Sequence, residues 1–274
     1  MGLLEINRTI KKYLHLYWIG FKYSIQSSMA YSGNFIVCLL VELVYQGAHF
    51  AFFGIIISQT MSIAGWGVNE IIILIGFDTI MSELITGMFI VWNTREIPKK
   101  IWSGELDRVL LKPIHPLFSL TLGTPYFPSF VSSLTGVILV IVGFQNLDIT
   151  LNIVNLMSSI LFFIFGYIIV SSILVIISLL TFFFQDTWTI PRIGERIAYS
   201  YSALPHNIFT GTLKFIFFLI IPVVYVSSFS ADALFNKSID YSILLISGLL
   251  AILFILLIQL VWALAIKNYS SASS

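Results

Sequence analysis

Apolar residues gather into long uninterrupted runs, and polar ones into the short stretches between them. The runs lie at about 34–58, 69–92, 118–143, 153–184, 208–229 and 241–266. Each is close to the roughly 20 residues a helix needs to cross a bilayer. The fourth is too long for a straight crossing and must tilt or extend past the boundary. The fifth carries Lys214 near its start and Pro222 inside it, which marks it as broken or partly re-entrant. Ahead of the runs, residues 3–30 follow a different pattern. Arg8, Lys11, Lys12, His15 and Lys22 fall on one face at helical spacing, and Ile6, Ile10, Leu14, Tyr17, Phe21 and Ile25 on the other. This predicts an interfacial helix, with cations toward headgroups and aromatic residues toward acyl chains.

Composition agrees with the pattern. Apolar residues make up 58% of the 274 and charged residues 10%, far below the roughly 25% of soluble domains. The chain is therefore read as an integral membrane protein. A net charge of +1 excludes the strongly basic footprint of a nucleic-acid binder. The single cysteine, Cys38, excludes an intrachain disulfide and reads as a small core residue. The first residues lack an apolar core followed by a small-residue cleavage site, so the segment is expected to be retained. Ile6 stands where a myristoylation signal needs Ser or Thr.

Charge placement then orients the chain. With the N-terminus inside, every Lys and Arg except Lys237 falls on the inner side or at the inner end of a run. Both termini are expected in the cytoplasm, with inner connections at 93–117 and 185–207. The fold class is all-α: one transmembrane domain over 1–274, built from an interfacial helix and six transmembrane helices.

The 93–117 connection is too elaborate for a basic loop. Pro98 is expected to open a short helix, with Ile97, Ile101 and Trp102 toward the membrane and Lys99 and Lys100 toward water. Ser103-Gly104 breaks it. Glu105 and Asp107 then start a second short helix, where carboxylates suit the helix dipole. Lys112 lies in its last turn and Pro113 ends it. The result is a helical elbow carrying both charge signs.

The elbow sequence "WSGELDRVLLKPIHPLF" resembles the inner-loop motif of type-2 ABC (ATP-binding cassette) exporter permeases, in the subfamily reading close to I-x-x-G-x-L-D-x-x-L-L-x-P-x-x-P-L. The chain matches at Ile101, Gly104, Leu106, Asp107, Leu110, Leu111, Pro113, Pro116 and Leu117. His115 departs from the small polar residue more usual there. "SALPHNIFTGTLKFIFFLIIPVVYV" (202–226) is similar to the subfamily's fifth-span region, and "ALAIKNYSSASS" to its short tail. The resemblance implies a bacterial inner-membrane permease that works as a dimer with an identical or related permease, among membrane lipids. It implies that the 96–118 elbow couples it to a cytoplasmic ABC ATPase, through Trp102, Gly104, Glu105, Leu106, Asp107, Arg108, Lys112 and Pro113. A second inner contact would come from Asp186, Arg192, Glu195 and Arg196. ATP and Mg belong to the partner. No cofactor is expected here, because no G-x-x-x-x-G-K-[ST] motif, nor any Gly-Lys dipeptide, occurs in the chain. Nor is any metal or covalent catalysis expected. Cargo would be an amphiphilic drug-like compound, a peptide or a lipid-linked molecule.

Acidic residues within apolar runs are costly and invite a functional reading. The first run holds Glu42 and His49, seven residues apart on one face, and the second holds Asp78 and Glu83. In antiparallel helices rising about 1.5 Å per residue, Glu42 meets Glu83 in depth and His49 meets Asp78. They form either one wall of a translocation path or a polar clamp between spans. A proton-coupled secondary transporter titrating Glu42, Asp78 and Glu83 is the alternative function, and it would need no ATPase.

Overall fold

A computed structural model describes residues 3–60, 62–88, 95–123, 125–147, 149–150, 152–184, 189, 192, 204–220, 222–235 and 240–269. All regular structure among these is helical. Helix α1 (Leu3–Ala30) has the bounds expected of the amphipathic segment. It is followed by α2 (Ser32–Thr60) and α3 (Val68–Ile85), the latter prolonged by a π turn to Met88. The elbow supplies α4 (Arg95–Trp102), α5 (Glu105–Leu110) and α6 (Pro116–Thr121). Two long helices follow, α7 (Phe127–Gln145) and α8 (Ile153–Leu179). The remainder comprises α9 (Gly211–Phe215), α10 (Ser228–Phe235) and α11 (Tyr241–Asn268).

Among the described residues, five helices are long and apolar enough to cross a membrane: α2, α3, α7, α8 and α11, with α8 extended to Phe182. Asn152 caps α8 by accepting from the Val154 N–H, and Asp240 caps α11 through Ser242 and Ile243. The third apolar run does not form one helix from residue 118. It is cut into α6 and α7 around Gly123 and Pro125, whose ring removes the N–H that a continuous helix would need there.

The fifth run departs furthest from a simple span. Helix α9 passes into a π turn (Ile216–Ile220), Pro222 interrupts the chain, and a 3-10 turn (Val223–Tyr225) leads to α10. Both ends of this segment lie beside Trp66, in the α2–α3 connection. The His206 ring is 5.9 Å from Trp66 and 4.4 Å from Phe229, and Phe235 is 5.0 Å from Trp66. The backbone N–H of His206 donates to Ser228 Oγ at 2.6 Å. Residues 204–235 thus form a hairpin that enters and leaves at one end of the bundle, the end opposite the elbow. The 185–207 connection was expected wholly at the elbow end, but its last residues lie at the other. Lys214 sits with them, acting on His206 and lying over the Phe218 ring at 5.4 Å, rather than at the elbow end.

Among the described residues, three apolar cores stack along the bundle. Phe53, Trp66, Ile71 and Leu74 anchor the hairpin end. Met81, Ile169, Val170 and Tyr225 fill the middle. Ile97, Leu106, Val109 and Leu120 form the elbow end. Close approach of backbones makes the middle possible. A Cβ on Gly136 would lie 2.6 Å from the Gly76 carbonyl oxygen, and one on Gly166 2.6 Å from the Val226 nitrogen. Ser159 Oγ then donates to the Ser230 carbonyl at 2.7 Å, pinning the hairpin to α8.

Candidate functional site

The elbow breaks at Gly104, as its sequence predicts. Gly104 has φ 74°, a left-handed conformation that costs other residues roughly 1–2 kcal/mol. Glu105 and Asp107 occupy the first turn of α5. Two details differ from expectation. Pro98 lies inside α4 rather than at its opening, and α5 ends at Leu110, before Lys112 and Pro113. Pro116 opens a third short helix, α6.

The elbow has a buried back and an exposed front. Ile97 and Leu106 are fully buried with Val109 and Leu120, against Phe182 at the end of α8 and Trp262 of α11. Leu106 therefore anchors the elbow and has no side-chain surface to offer a partner, contrary to its expected place in the docking surface. The front carries Trp102, Glu105, Arg108, Lys112 and Pro113, all exposed. It also carries Leu111, 85% exposed, which is not among the docking residues that the motif resemblance implies. Leu111 caps the end of α5, where the spacing of so short a helix does not separate an exposed leucine from a buried one.

Ties from both ends of the chain hold the elbow. Lys12 Nζ donates to the Pro113 carbonyl at 2.7 Å, and the His115 N–H donates to the Tyr13 hydroxyl at 2.9 Å. The Tyr13 ring lies 4.7 Å from Phe118. On the other side, the Tyr269 hydroxyl donates to Asp107 Oδ1 at 3.0 Å. Asp107 is thus engaged within the chain. Along α4, Glu96 pairs with Lys99 at 3.6 Å. Burial pushes the Lys100 ammonium below its usual value, with Glu96 opposing the shift. Of the second inner contact, Arg192 is exposed, while Asp186, Glu195 and Arg196 lie outside the described residues.

The acidic residues of the spans belong to a longer polar seam. Glu83 is buried in α3, within interaction range of the side chains of Glu42 on α2 and Ser129 on α7. One α2 turn away, Gln46 Nε2 donates to Thr135 Oγ1 at 2.8 Å. One turn the other way, Cys38 Sγ and the Tyr126 hydroxyl lie 3.3 Å apart. Cys38, Glu42 and Gln46 recur every four residues, so they line one stripe of α2. Tyr45 and His49 flank it, their rings 4.6 Å apart; Tyr45 is within electrostatic reach of Asp78 and Glu42, and His49 of Glu42. The four-residue spacing was available in the sequence. Charge makes Glu42 and His49 conspicuous there, whereas Gln46 shows itself only as a recurring polar position.

No curated protein and no solved structure is significantly similar to the chain. A sequence profile described as "ABC-2 family transporter protein" matches residues 43–273, from the first long helix through the elbow to the end of the last. With the multi-pass helical bundle and the helical elbow between its second and third long helices, this match establishes that the chain belongs to the ABC-2 family of transporter proteins.

Proposed function

We propose that this chain is the permease subunit of an ATP-driven exporter and that the front of the elbow docks on a separate ABC ATPase. Membership of the ABC-2 family makes the chain a membrane transport component that works with such an ATPase. The observation that carries the docking role is the two-sidedness of the elbow. Trp102 and Leu111 stand exposed among Glu105, Arg108 and Lys112, while the back is locked into the bundle. Aromatic and apolar anchors ringed by charges are what a protein interface uses for affinity and register. In this reading both termini lie on the ATPase side, which the ties of Tyr13 and Tyr269 to the elbow support. The seam of Glu42, Glu83 and Gln46 acts as a clamp between spans. A second permease subunit completes the path for an amphiphilic cargo.

The test is co-purification with the ATPase, using surface variants that spare the buried back. Trp102→Ala with Leu111→Asp should insert normally and lose ATPase binding and stimulation by at least about tenfold. Unchanged binding would leave the elbow an ordinary connection. Transport by the permease without any ATPase would favour a proton-coupled carrier built on Glu42, Asp78 and Glu83.

A further inference from the structure

A cavity of about 940 Å³ lies between α1, the start of α2, α4 and the α6–α7 connection. It sits at the upper end of small-molecule sites, roughly 300–1,000 Å³. Its wall combines Ile19, Tyr23 and Ser27 of α1, Phe35 of α2, and Glu96 and Lys100 of α4. We propose that this cavity is a resident phospholipid site. Lys100 and neighbouring hydroxyls receive the phosphodiester, and the acyl chains leave past Ile19 and Phe35.

Position selects the occupant. Ile10, Leu14, Trp18 and Ile19 of α1 and Ile36, Val37 and Leu40 of α2 are exposed apolar residues on either side of the cavity. Lys22 stands over the Trp18 ring at 5.6 Å. Cations and aromatic residues at a polar–apolar boundary mark headgroup depth. Charge selects the chemistry. Glu96 is shared with Lys99, and Lys99, Lys100 and Lys112 together face Glu96 and Glu105, so the surplus is cationic. Burial already disfavours the Lys100 charge, and an arriving phosphate restores to it the partner that lost water no longer supplies. The lipid would bridge the interfacial helix and the elbow, so its occupancy would stiffen the joint between them.

The test needs no ATPase, so its outcome is separate from that of the docking proposal. Native mass spectrometry of the purified protein should find a phospholipid retained by wild type. After delipidation, phosphatidylglycerol and phosphatidylethanolamine should each raise the melting temperature, whereas diacylglycerol and inorganic phosphate should not. Lys100→Gln should weaken the phospholipid response by about tenfold, and Lys100→Arg should keep it. Ser27→Trp, which fills the cavity from α1, should abolish retention; it provides the test if Lys100→Gln fails to fold. Equal stabilisation by diacylglycerol would reduce the site to chain packing and overturn the proposal. Equal stabilisation by inorganic phosphate would make it a soluble-anion site and overturn it too. So would undiminished retention in the folded variants.

Discussion

The Tyr269 hydroxyl donates to Asp107 Oδ1 at 3.0 Å, joining the end of the last long helix to the first turn of α5 across 162 residues. Tyr269→Phe should lower stability by about 1 kcal/mol, the usual net worth of such a bond. Burial first, then Asp107, raises the Tyr269 pKa above 10.0. The folded form therefore holds its proton more tightly than the unfolded chain. This contribution is complete below about pH 10 and is lost as pH rises through the raised value. Melting curves in detergent should show a shallower alkaline decline for the phenylalanine variant; identical declines would dismiss the link.

The α3–α7 crossing should be intolerant of a single methyl group. On Gly136 it would meet the Gly76 carbonyl at 2.6 Å and Ile80 Cγ1 at 2.8 Å. Gly136→Ala should cost about 1–3 kcal/mol by overpacking. Gly54→Ala on α2 meets nothing within 4 Å and should cost nothing. Equal melting temperatures for the two variants would contradict this packing.

His206 should make the hairpin acid-sensitive. Burial against Trp66 and Phe229, helped by Lys214, pushes its pKa from 6.5 down to about 4. The unfolded chain takes up the proton first, so stability declines as pH falls from about 6.5 toward 4. His206→Gln should lower the melting temperature at neutral pH yet flatten its fall in acid. A fall as steep as wild type would assign the acid sensitivity elsewhere.

The Gln46–Thr135 bond should couple α2 to α7 weakly. A double-mutant cycle with Gln46→Leu and Thr135→Val should give about 0.6 kcal/mol and no more than about 1.7, as for other interhelical bonds in membranes. Strict additivity would mean that the seam does not bind these helices together.

Local chemistry was legible where it acts alone. The amphipathic period of α1, the break at Gly104 and the acidic first turn of α5 follow from neighbouring residues, and the structure has each of them. What depends on distant partners was not. The run at 118–143 is apolar on both sides of Gly123 and Pro125, so hydropathy bridged a break that backbone geometry imposes. The 208–229 run has the hydropathy of a crossing, and Lys214 with Pro222 marks it as broken or partly re-entrant without saying which. Its return to Trp66 rests on Gly166, Ser159 and His206, far away in sequence. Leu106 and Leu111 both match the motif, yet one is core and the other surface. Their difference is set by Ile97 and Leu120, which no spacing within α5 encodes.

The ties between α1 and the elbow have a mechanical consequence. Lys12 and Tyr13 grip Pro113 and His115 directly, and Tyr13 also packs on Phe118. Any shift of the elbow must either part these bonds or carry α1 with it. Helix α1 then behaves as an outrigger, spreading a load applied at a small protruding joint along the 28 residues of its own length.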